Sequence, residues 1–294
     1  MRIVRDPRQV IALSREWRVR EGRELALVPT MGNLHEGHLV LVRHARERGG
    51  RVLVSIFVNP LQFDRPDDLA RYPRTLEQDI RKLTAAGVDA LFCPETEDMY
   101  PHGSAIPARV VVSGVSEVLE GESRPGHFDG VATVVAKLFN LVQPDTAVFG
   151  EKDFQQLLVV RAMVDALDFP VRIAAVPTVR ESDGLALSSR NGRLAEGERQ
   201  RAPELYRCLR DAAEACLLEP DQWPGIFPEI VARMEQRLQR SGFRTDYLRI
   251  RRARDLGEPR AGDHDLIIVA AAWLGDVRLI DNLRLRHGRF AGAG

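Results

Sequence analysis

Two histidines stand close together in the segment Pro29-Thr30-Met31-Gly32-Asn33-Leu34-His35-Glu36-Gly37-His38. The segment follows a short apolar run at 24–30 and leads into the helical spacing of 38–48. Imidazoles three residues apart at a helix start lie on one face of the helix, where free N–H groups and the helix dipole attract anions. We therefore predict that His35 and His38 hold a polyphosphate and stabilise charge that grows on it. The alternative is a pair of surface histidines. Zinc binding is disfavoured, because the spacing is not HExxH.

A second group of polar residues is Phe149-Gly150-Glu151-Lys152-Asp153-Phe154-Gln155-Gln156. It also follows an apolar run and opens a helical pattern. Lys152 is one of three lysines among 42 basic residues, so a compact ammonium stands here in a chain that otherwise uses arginine. We predict that Lys152 contacts phosphate. The alternative is a solvated turn of mixed charges.

A third candidate is the segment Asp183-Gly184-Leu185-Ala186-Leu187-Ser188-Ser189-Arg190-Asn191. Two hydroxyls and a guanidinium in a glycine-containing loop can bind phosphate, and loops of this kind often close over a substrate and exclude water. The alternative is a polar linker between domains.

Uncharged groups follow another apolar run, in Asn59-Pro60-Leu61-Gln62-Phe63. The amide of Gln62 can recognise the hydroxyl or carboxylate groups of a small substrate, although Gln62 could also be a simple turn residue. The segment Arg124-Pro125-Gly126-His127-Phe128 precedes a helical pattern and could be no more than its lead-in.

The elements that must position these groups alternate over the first two-thirds of the chain. Apolar runs predict strands at 24–30, 51–58, 88–92, 146–149 and 171–177, with helices at 38–48, 75–86, 130–142 and 153–167 between them, and Asp129 as one N-cap. This order predicts an α/β fold with a Rossmann-like, doubly wound parallel sheet. Ligands of such sheets bind beyond the carboxyl ends of the strands, where the segments 29–38, 59–63 and 149–156 fall.

The pattern changes after about residue 183. Helical spacing at 194–217 and 227–239 precedes strand patterns at 247–250, 267–272 and 277–280. We therefore predict a first domain over 1–184 and a smaller α+β domain over 185–294, with the hinge near 180–192. No internal repeat or low-complexity tract is evident.

Composition narrows the classes of partner. The 42 basic and 42 acidic residues give a formal net charge of zero, which argues against nucleic-acid binding through bulk charge. The longest apolar runs, 52–58 and 266–274, are too short to cross a bilayer, and no signal peptide begins the chain. The three cysteines show neither a disulfide framework nor zinc-ligand spacing. We expect a cytoplasmic protein without membrane or nucleic-acid partners.

The HxGH sequence after the first predicted strand resembles the signature of the nucleotidyltransferase superfamily. Taken together, the motifs resemble the pantothenate synthetase (pantoate–β-alanine ligase) family almost from end to end. The matching segments are 29–38, 54–63, 72–75, 124–131, 141–156, 183–191 and 272–282. Asn33 and Leu187 stand where many members have Ala and Met, and the resemblance ends at Asn282.

This resemblance implies that ATP, pantoate and β-alanine give pantothenate, a precursor of coenzyme A, together with AMP and pyrophosphate through a pantoyl adenylate. It implies catalytic roles for His35, His38, Lys152 and Arg190, with His38 as proton donor. It implies that Gln62 and Gln156 bind pantoate and that Mg²⁺ accompanies the phosphates, with Asp79 as a candidate for the outer shell of that ion. It further implies a homodimer whose smaller domain acts as a lid. The implied ATP-binding residues are Met31, Gly32, Asn33, Leu34, His35, Glu36, Gly37, His38, Gly150, Glu151, Lys152, Asp153, Val179, Leu187, Ser188, Ser189 and Arg190.

Other functions share part of this pattern. A different nucleotidyltransferase would share HxGH but would not need paired glutamines around a small acid. A tRNA synthetase is disfavoured by the zero net charge and by the lack of an anticodon-binding extension. A nucleotide-binding module without catalytic activity would bind ATP but release no pyrophosphate.

Overall fold

The computed structural model describes residues 1–48, 50–103, 106–286 and 289–290. The chain forms two compact units. The first comprises Met1–Glu151 and Gln155–Val176, and the second comprises Lys152–Phe154 and Pro177–Gly294. The predicted domain boundary, between 184 and 185, falls within the second unit.

The first unit alternates strands and helices, as its apolar runs predict. Its strands are β1 (Arg2–Val4), β2 (Leu25–Thr30), β3 (Arg51–Ile56), β4 (Ala90–Phe92), β5 (Thr146–Gly150) and β6 (Arg172–Val176). The accompanying helices are α1 (Pro7–Arg15), α2 (Glu36–Arg46), α3 (Pro66–Ala70), α4 (Leu76–Ala85), α5 (Thr96–Met99), α6 (Glu120–Ser123), α7 (His127–Val142) and α8 (Phe154–Ala166).

These strands form a parallel sheet in the order β1-β4-β3-β2-β5-β6. Successive side chains of a strand point to opposite faces, and both faces of this sheet are covered. On β2, Leu25 and Leu27 pack with residues of α1, α7 and α8, whereas Ala26 and Val28 pack with residues of α2 and α4. The predicted doubly wound α/β fold is confirmed.

The order of the strands reverses between β2 and β5, which makes their carboxyl ends the switch point of the sheet. The pairing of these two strands covers Ala26–Thr146 and Leu27–Ala147, near their amino-terminal ends. By contrast, β2 pairs with β3 along all six of its residues. The splayed ends of β2 and β5 leave room for a ligand at the carboxyl edge.

Two local predictions differ from the structure. Helix α7 begins at His127 after Gly126, which has the left-handed φ of 79°, so Asp129 lies inside the helix and is not its N-cap. The amino-terminal β1 and α1 have no counterpart in the predicted pattern. A three-residue strand is too short for a periodic signal, although Asp6 does cap α1 by accepting the N–H of Arg8.

The second unit has helices first and strands after them. They are α9 (Glu196–Arg201), α10 (Glu204–Leu218), α11 (Phe227–Arg240), β7 (Phe243–Arg252), β8 (Asp265–Leu274), β9 (Val277–Arg286) and β10 (Arg289–Phe290). The strands pair antiparallel in the order β10-β9-β8-β7. Alternate residues of β8, such as Ile268 and Ala270, pack with residues of α10 and α11. Among the residues described, no helix combines the length and apolarity needed to span a membrane.

Candidate active site

The histidine-bearing segment begins with a tight turn between β2 and α2. Gly32 and Asn33 follow β2 in left-handed conformations, with φ of 80° and 49°. A side chain at Gly32 would come within 3.1 Å of Ile56 Cγ2, and asparagine tolerates the left-handed region better than most residues. The Oγ1 of Thr30 donates to Ser55 O at 2.8 Å and accepts the N–H of Gly32 at 3.2 Å. The turn is therefore fixed before α2 starts.

Asp79, in the first turn of α4, anchors the same turn from the side. Its two carboxylate oxygens accept the N–H groups of Asn33 and Leu34, each at 2.8 Å, and Thr75 Oγ1 donates to it at 3.1 Å. Asp79 is 1% exposed, so these donors take the place of water around its charge. Lys82, one turn further along α4, donates to the carbonyl of Leu34.

The surroundings of Asp79, which is 1% exposed, do not fit its predicted role in the outer shell of Mg²⁺. Its oxygens already hold two backbone N–H groups and a hydroxyl. Within the described ranges, no group of three or more His, Cys, Asp or Glu could hold a metal ion. The structure instead shows a carboxylate that shapes the turn before α2.

His35 and His38 meet at the amino end of α2. Their ring centroids are 4.1 Å apart with the planes inclined by 37°, and the backbone N–H of His35 donates to His38 Nδ1 at 3.3 Å. Both residues are partly buried. The first N–H groups of a helix have no acceptor within it, and in α2 these belong to Glu36 and Gly37. The pair of rings and the helix terminus can thus bind an anion together.

The predicted substrate glutamine, Gln62, is joined to this segment. It lies in a 3-10 turn after β3, is 8% exposed, and its Nε2 donates to Met31 Sδ at 3.0 Å. Its Oε1 accepts from Asn59 Nδ2 at 3.1 Å, and Asn59 Oδ1 in turn accepts from the Tyr100 hydroxyl at 2.8 Å. Burial raises the pKa of Tyr100, so its hydroxyl remains a donor at neutral pH. Asn59 orients the amide of Gln62.

The segment Arg124–Phe128 is more than a helix lead-in. His127 Nδ1 lies 2.7 Å from the carbonyl oxygen of Gln62, and Arg124 Nη2 donates to the same oxygen at 3.1 Å. A Cβ on Gly130 would come within 2.4 Å of Leu61 O, so only glycine lets α7 pack this closely against the turn. Sequence reasoning missed Asn59, Arg124 and His127, because their partners come from different elements. The available signal was the polar residues that flank each turn.

The two glutamines after β5 have different surroundings. The side-chain amide of Gln155 is hydrogen-bonded to the backbone of the 115–120 segment. Its Nε2 donates to Val115 O and Val118 O, and its Oε1 accepts from Glu120 N. Gln156 is partly buried, and neighbouring residues of a helix point about 100° apart. The side chain of Gln156, the predicted substrate residue, therefore points away from the 115–120 segment.

Gly150 ends β5, and Glu151 follows it in the first unit.

Lys152 and Asp153 belong to the second unit, although β5 leads into them. The side chain of Lys152 is 18% exposed, and its Nζ lies 3.6 Å from Asp153 Oδ1. The carbonyl oxygen of Lys152 accepts from Asn282 Nδ2 at 2.9 Å.

Residues 179–187 form a small hairpin in the second unit. Leu187 N donates to Val179 O at 2.9 Å, and Arg180 and Ala186 make an antiparallel bridge. Leu185 is buried in the core of this unit. Beyond the hairpin, Ser188 Oγ accepts from the N–H of Arg190 at 3.2 Å, and Ser189 is partly buried.

Asp183 stabilises the tip of this hairpin as a charged group. Burial by itself would raise the pKa of its carboxyl, but the hydrogen bonds from Arg199 Nη1 at 2.6 Å and Leu185 N at 3.1 Å outweigh it and hold that pKa below its usual value. Gly184 has a φ of 96°, and a Cβ there would lie 2.6 Å from Tyr206 Cδ1.

The sequence model of a family described as pantoate-beta-alanine ligase matches residues 2–284. The chain belongs to the pantoate-β-alanine ligase family. It is therefore a member of a family of enzymes that form an amide bond at the expense of ATP.

Similar proteins agree with this membership. The pantothenate synthetase of Thioalkalivibrio sulfidiphilus is 55% identical over 267 residues, which are 91% of this chain and 92% of that protein. That of Pseudomonas fluorescens is 53% identical over 285 residues, 97% of each chain. Among solved structures, the pantothenate synthetase of Thermus thermophilus has a TM-score of 0.86 at 45% identity and covers 96% of this chain and 99% of its own.

A further solved relative was crystallised with ligands. It is the pantoate-beta-alanine ligase from Francisella tularensis complexed with beta-gamma ATP and beta-alanine. Its TM-score is 0.78 at 34% identity, with 96% of this chain and 97% of that chain covered.

Within the first unit, the structure brings together Met31–His38 and Gln62, and places Gly150, Glu151 and Gln156 at the carboxyl end of a neighbouring strand of the same sheet. Within the second unit, it places Val179 and Leu187 on one hairpin, followed directly by Ser188, Ser189 and Arg190. Lys152 and Asp153 are in that unit too. Asp79 contacts the first segment through the N–H groups of Asn33 and Leu34.

Proposed function

We propose that this enzyme condenses pantoate with β-alanine through a pantoyl adenylate and releases pyrophosphate and AMP. The proposal depends chiefly on the hydrogen bond from Gln62 Nε2 to Met31 Sδ, which links Gln62 to the histidine segment. This contact lies at the carboxyl edge of the sheet, beside the switch point. It puts groups suited to phosphate and groups suited to a small hydroxy acid next to each other. The complex of the Francisella relative with beta-gamma ATP and beta-alanine supports the same substrates here.

His38 has a defined role in the first step. Because its Nδ1 accepts the N–H of His35, the neutral ring carries its proton on Nε2, which is then a donor. When a carboxylate oxygen of pantoate attacks the α-phosphorus of ATP, a P–O bond forms and the bond to pyrophosphate breaks. Negative charge grows on the leaving oxygen, and Nε2–H of His38 donates to it. His35 and the N–H groups of Glu36 and Gly37 add donors for the same charge.

Gln62 is prepared to bind pantoate. Its amide is oriented by Asn59 and Met31, and a thioether is a weak acceptor that a substrate oxygen can replace. A neutral amide recognises the carboxylate and hydroxyls of pantoate without lowering the nucleophilicity of that carboxylate through a full positive charge. We propose that Gln156 supplies a second amide.

The remaining predicted residues bind ATP in this proposal. Lys152 supplies a point charge for phosphate oxygens, and Ser188, Ser189 and Arg190 supply hydroxyls and a guanidinium. Gly150, Glu151, Asp153, Val179 and Leu187 line the nucleotide. Mg²⁺ comes with the phosphate oxygens of ATP, which this ion prefers, and needs no ligand from Asp79.

In the second step, the amine of β-alanine attacks the acyl carbon of the adenylate. The C–N bond forms, AMP leaves with the electron pair of the broken C–O bond, and the proton of the attacking amine passes to water. Activation is necessary because a free carboxylate is a poor acyl donor.

The use of ATP as a substrate supports the cytoplasm as the place of this reaction. We also propose a homodimer, which sedimentation equilibrium tests directly, and the lid role of the smaller domain stays a prediction.

A rapid-quench experiment with labelled ATP tests the adenylate. Enzyme, ATP and pantoate without β-alanine should release about one equivalent of pyrophosphate per active site, because a closed site protects the mixed anhydride from water. Replacing both Ser189 and Arg190 with Ala should slow this release and let the intermediate hydrolyse. No pyrophosphate before the addition of β-alanine would contradict the two-step mechanism.

A further inference from the structure

Two adjacent residues of β9, Asp281 and Asn282, contact two separate segments that the proposed function assigns to ATP. Neighbouring residues of a strand point to opposite faces of the sheet. Asp281 shares its face with Leu279 and Leu283, which pack with residues of α10 and α11, and Asn282 lies on the other face. Both are buried, with 5% and 9% of their surface exposed.

On the helix side, Asp281 holds the hairpin 179–187 through Arg180. The guanidinium of Arg180 makes two parallel hydrogen bonds to the carboxylate, at 2.7 and 2.9 Å, and donates to Gly184 O and Asn282 O. It stacks on the ring of Tyr206, with 3.7 Å from Cζ to the ring centroid. A bidentate, stacked arginine has little freedom to reorient, so this contact restrains the hairpin that leads to Ser188–Arg190.

On the opposite face, the amide of Asn282 donates to the carbonyl oxygen of Lys152 at 2.9 Å. Its own backbone N–H donates to Asp281 Oδ1 at 2.8 Å, which ties the two anchors together. The contact with Asn282 accompanies the placement of Lys152–Phe154 in the second unit. The backbone of Lys152, from which the ammonium extends, therefore keeps its place relative to β9.

We infer that Asp281 and Asn282 are positioning residues for ATP, Asn282 through Lys152 and Asp281 through Arg180 and the 187–190 segment. The inference rests on the proposed function, since that function makes these segments nucleotide-binding. It adds residues at the far end of the chain that touch no substrate and act on the adenylation step. Because Asp281 and Asn282 are adjacent and hydrogen-bonded to each other, the hairpin and the Lys152 segment are both attached to the same strand, β9.

The sharpest variant is Asn282→Asp, which keeps the shape of the side chain but replaces the donor with an oxygen facing Lys152 O. We expect it to be at least as defective as Asn282→Ala, with the KM for ATP raised or pyrophosphate release slowed by roughly 10- to 100-fold. The KM for β-alanine should be unchanged. The matched control is Arg284→Gln. Arg284 lies two residues after Asn282 on β9, and its substitution removes a contact with Asp265. We expect this variant to leave the KM for ATP and the rate of pyrophosphate release unchanged.

A double-mutant cycle separates positioning from general stability. In a Lys152→Ala background, Asn282→Ala should add less than about twofold, because its effect passes through Lys152. Arg180→Lys, which keeps the charge but loses the fork, should likewise have a smaller effect in an Arg190→Ala background than in the wild type. Full additivity, or wild-type kinetics in Asn282→Asp, would overturn the inference.

ATP binding measured by calorimetry without pantoate keeps the two proposals apart. A wild type that binds ATP but releases no pyrophosphate with pantoate contradicts the proposed function. The inference is then judged on binding alone. Weaker ATP binding by Asn282→Asp than by Arg284→Gln supports it, and equal binding overturns it.

Discussion

The two units hold their predicted nucleotide-binding segments in different ways. In the first unit, the carboxylate of Asp79 accepts backbone N–H groups of the segment itself, and its charge is neutralised by no ion pair in the described structure. In the second unit, the anchor is an ion pair, in which Arg180 of the hairpin meets Asp281 of β9. The first anchor fixes backbone atoms directly, and the second fixes them through a side chain.

This difference has an energetic consequence. A carboxylate that accepts N–H groups replaces its hydration shell with fixed dipoles, and losing it leaves neutral N–H groups unpaired. Removing Asp281 leaves a charged guanidinium partly buried without its partner, which is the costlier outcome for folding. We therefore expect the first anchor to be recognised mainly by its effect on catalysis and the second by effects on both catalysis and stability.

The largest effect is expected at the group that the first anchor positions. His38→Ala should lower the rate of adenylate formation by roughly 10²–10³, because a donor to the leaving oxygen is lost. His44→Ala, on the last turn of the same helix, is the matched control and should leave the rate unchanged. Pre-steady-state pyrophosphate release measures both. Near-wild-type turnover in a folded His38→Ala protein would remove His38 from the mechanism.

Breaking the first anchor itself should have the next largest effect. Asp79→Asn turns an amide N–H₂ toward one of the two backbone N–H groups, so the turn before α2 must shift. A shift of about 1 Å can cost up to ~10²-fold in rate, and the unpaired N–H should lower the free energy of unfolding by about 1–3 kcal/mol. Steady-state kinetics and urea unfolding test both numbers.

Asp89 offers a control for this substitution on the same sheet. Its carboxylate accepts the N–H of Val52 at 2.8 Å and a hydrogen bond from Arg51, at the amino edge. Asp89→Asn should destabilise the protein without changing the kinetics. Equal kinetic losses in the two variants would show that Asp79 acts through overall stability.

In the second unit, Lys152→Arg tests whether shape matters besides charge. A guanidinium is wider than an ammonium and keeps its donors in one plane, so it should displace the triphosphate and raise the KM for ATP about tenfold, equal to ~1.4 kcal/mol. Unchanged affinity and turnover would mean that charge alone suffices at this position.

The three buried thiols report on each unit separately. Burial raises the pKa of Cys93 in the first unit, and raises the pKa values of Cys208 and Cys216 in α10 to about 12. All three should resist iodoacetamide in the native state. In urea, Asp281→Asn should expose Cys208 and Cys216 before Cys93, and Asp79→Asn should reverse that order. Identical labelling curves would indicate that the two units unfold as one.

The smallest effect is expected from pH at the hairpin tip. The pKa of Asp183 is lowered in the folded protein, so its carboxylate adds stability above the unfolded pKa of about 3.9 and loses it as the pH falls through the folded value. Asp183→Asn should lower Tm slightly at pH 7. The difference from wild type should shrink as the pH falls through the lowered pKa of Asp183 in the folded protein, and a difference that grows in acid would contradict the sign of the shift.

Much of this molecule was predictable from local patterns. The continuous apolar run 51–58 predicts a strand covered on both faces, and β3 has that environment. The HxGH spacing predicts two neighbouring imidazoles at a helix start, which is the arrangement of His35 and His38. These predictions succeed because strand and helix periods, and the chemistry of a short motif, are properties of consecutive residues.

The anchors were decided by the tertiary structure. Nothing around Asp79 marks it as the acceptor for N–H groups 45 and 46 residues earlier. Arg180 and Asp281 are separated by 101 residues, and Asn282 meets the carbonyl of Lys152 from 130 residues away. A turn exposes backbone donors wherever it occurs, but which side chain satisfies them depends on which elements the fold brings alongside. The sequence alone therefore determined which groups could do the chemistry, and only the packing of distant elements decided what holds them in place.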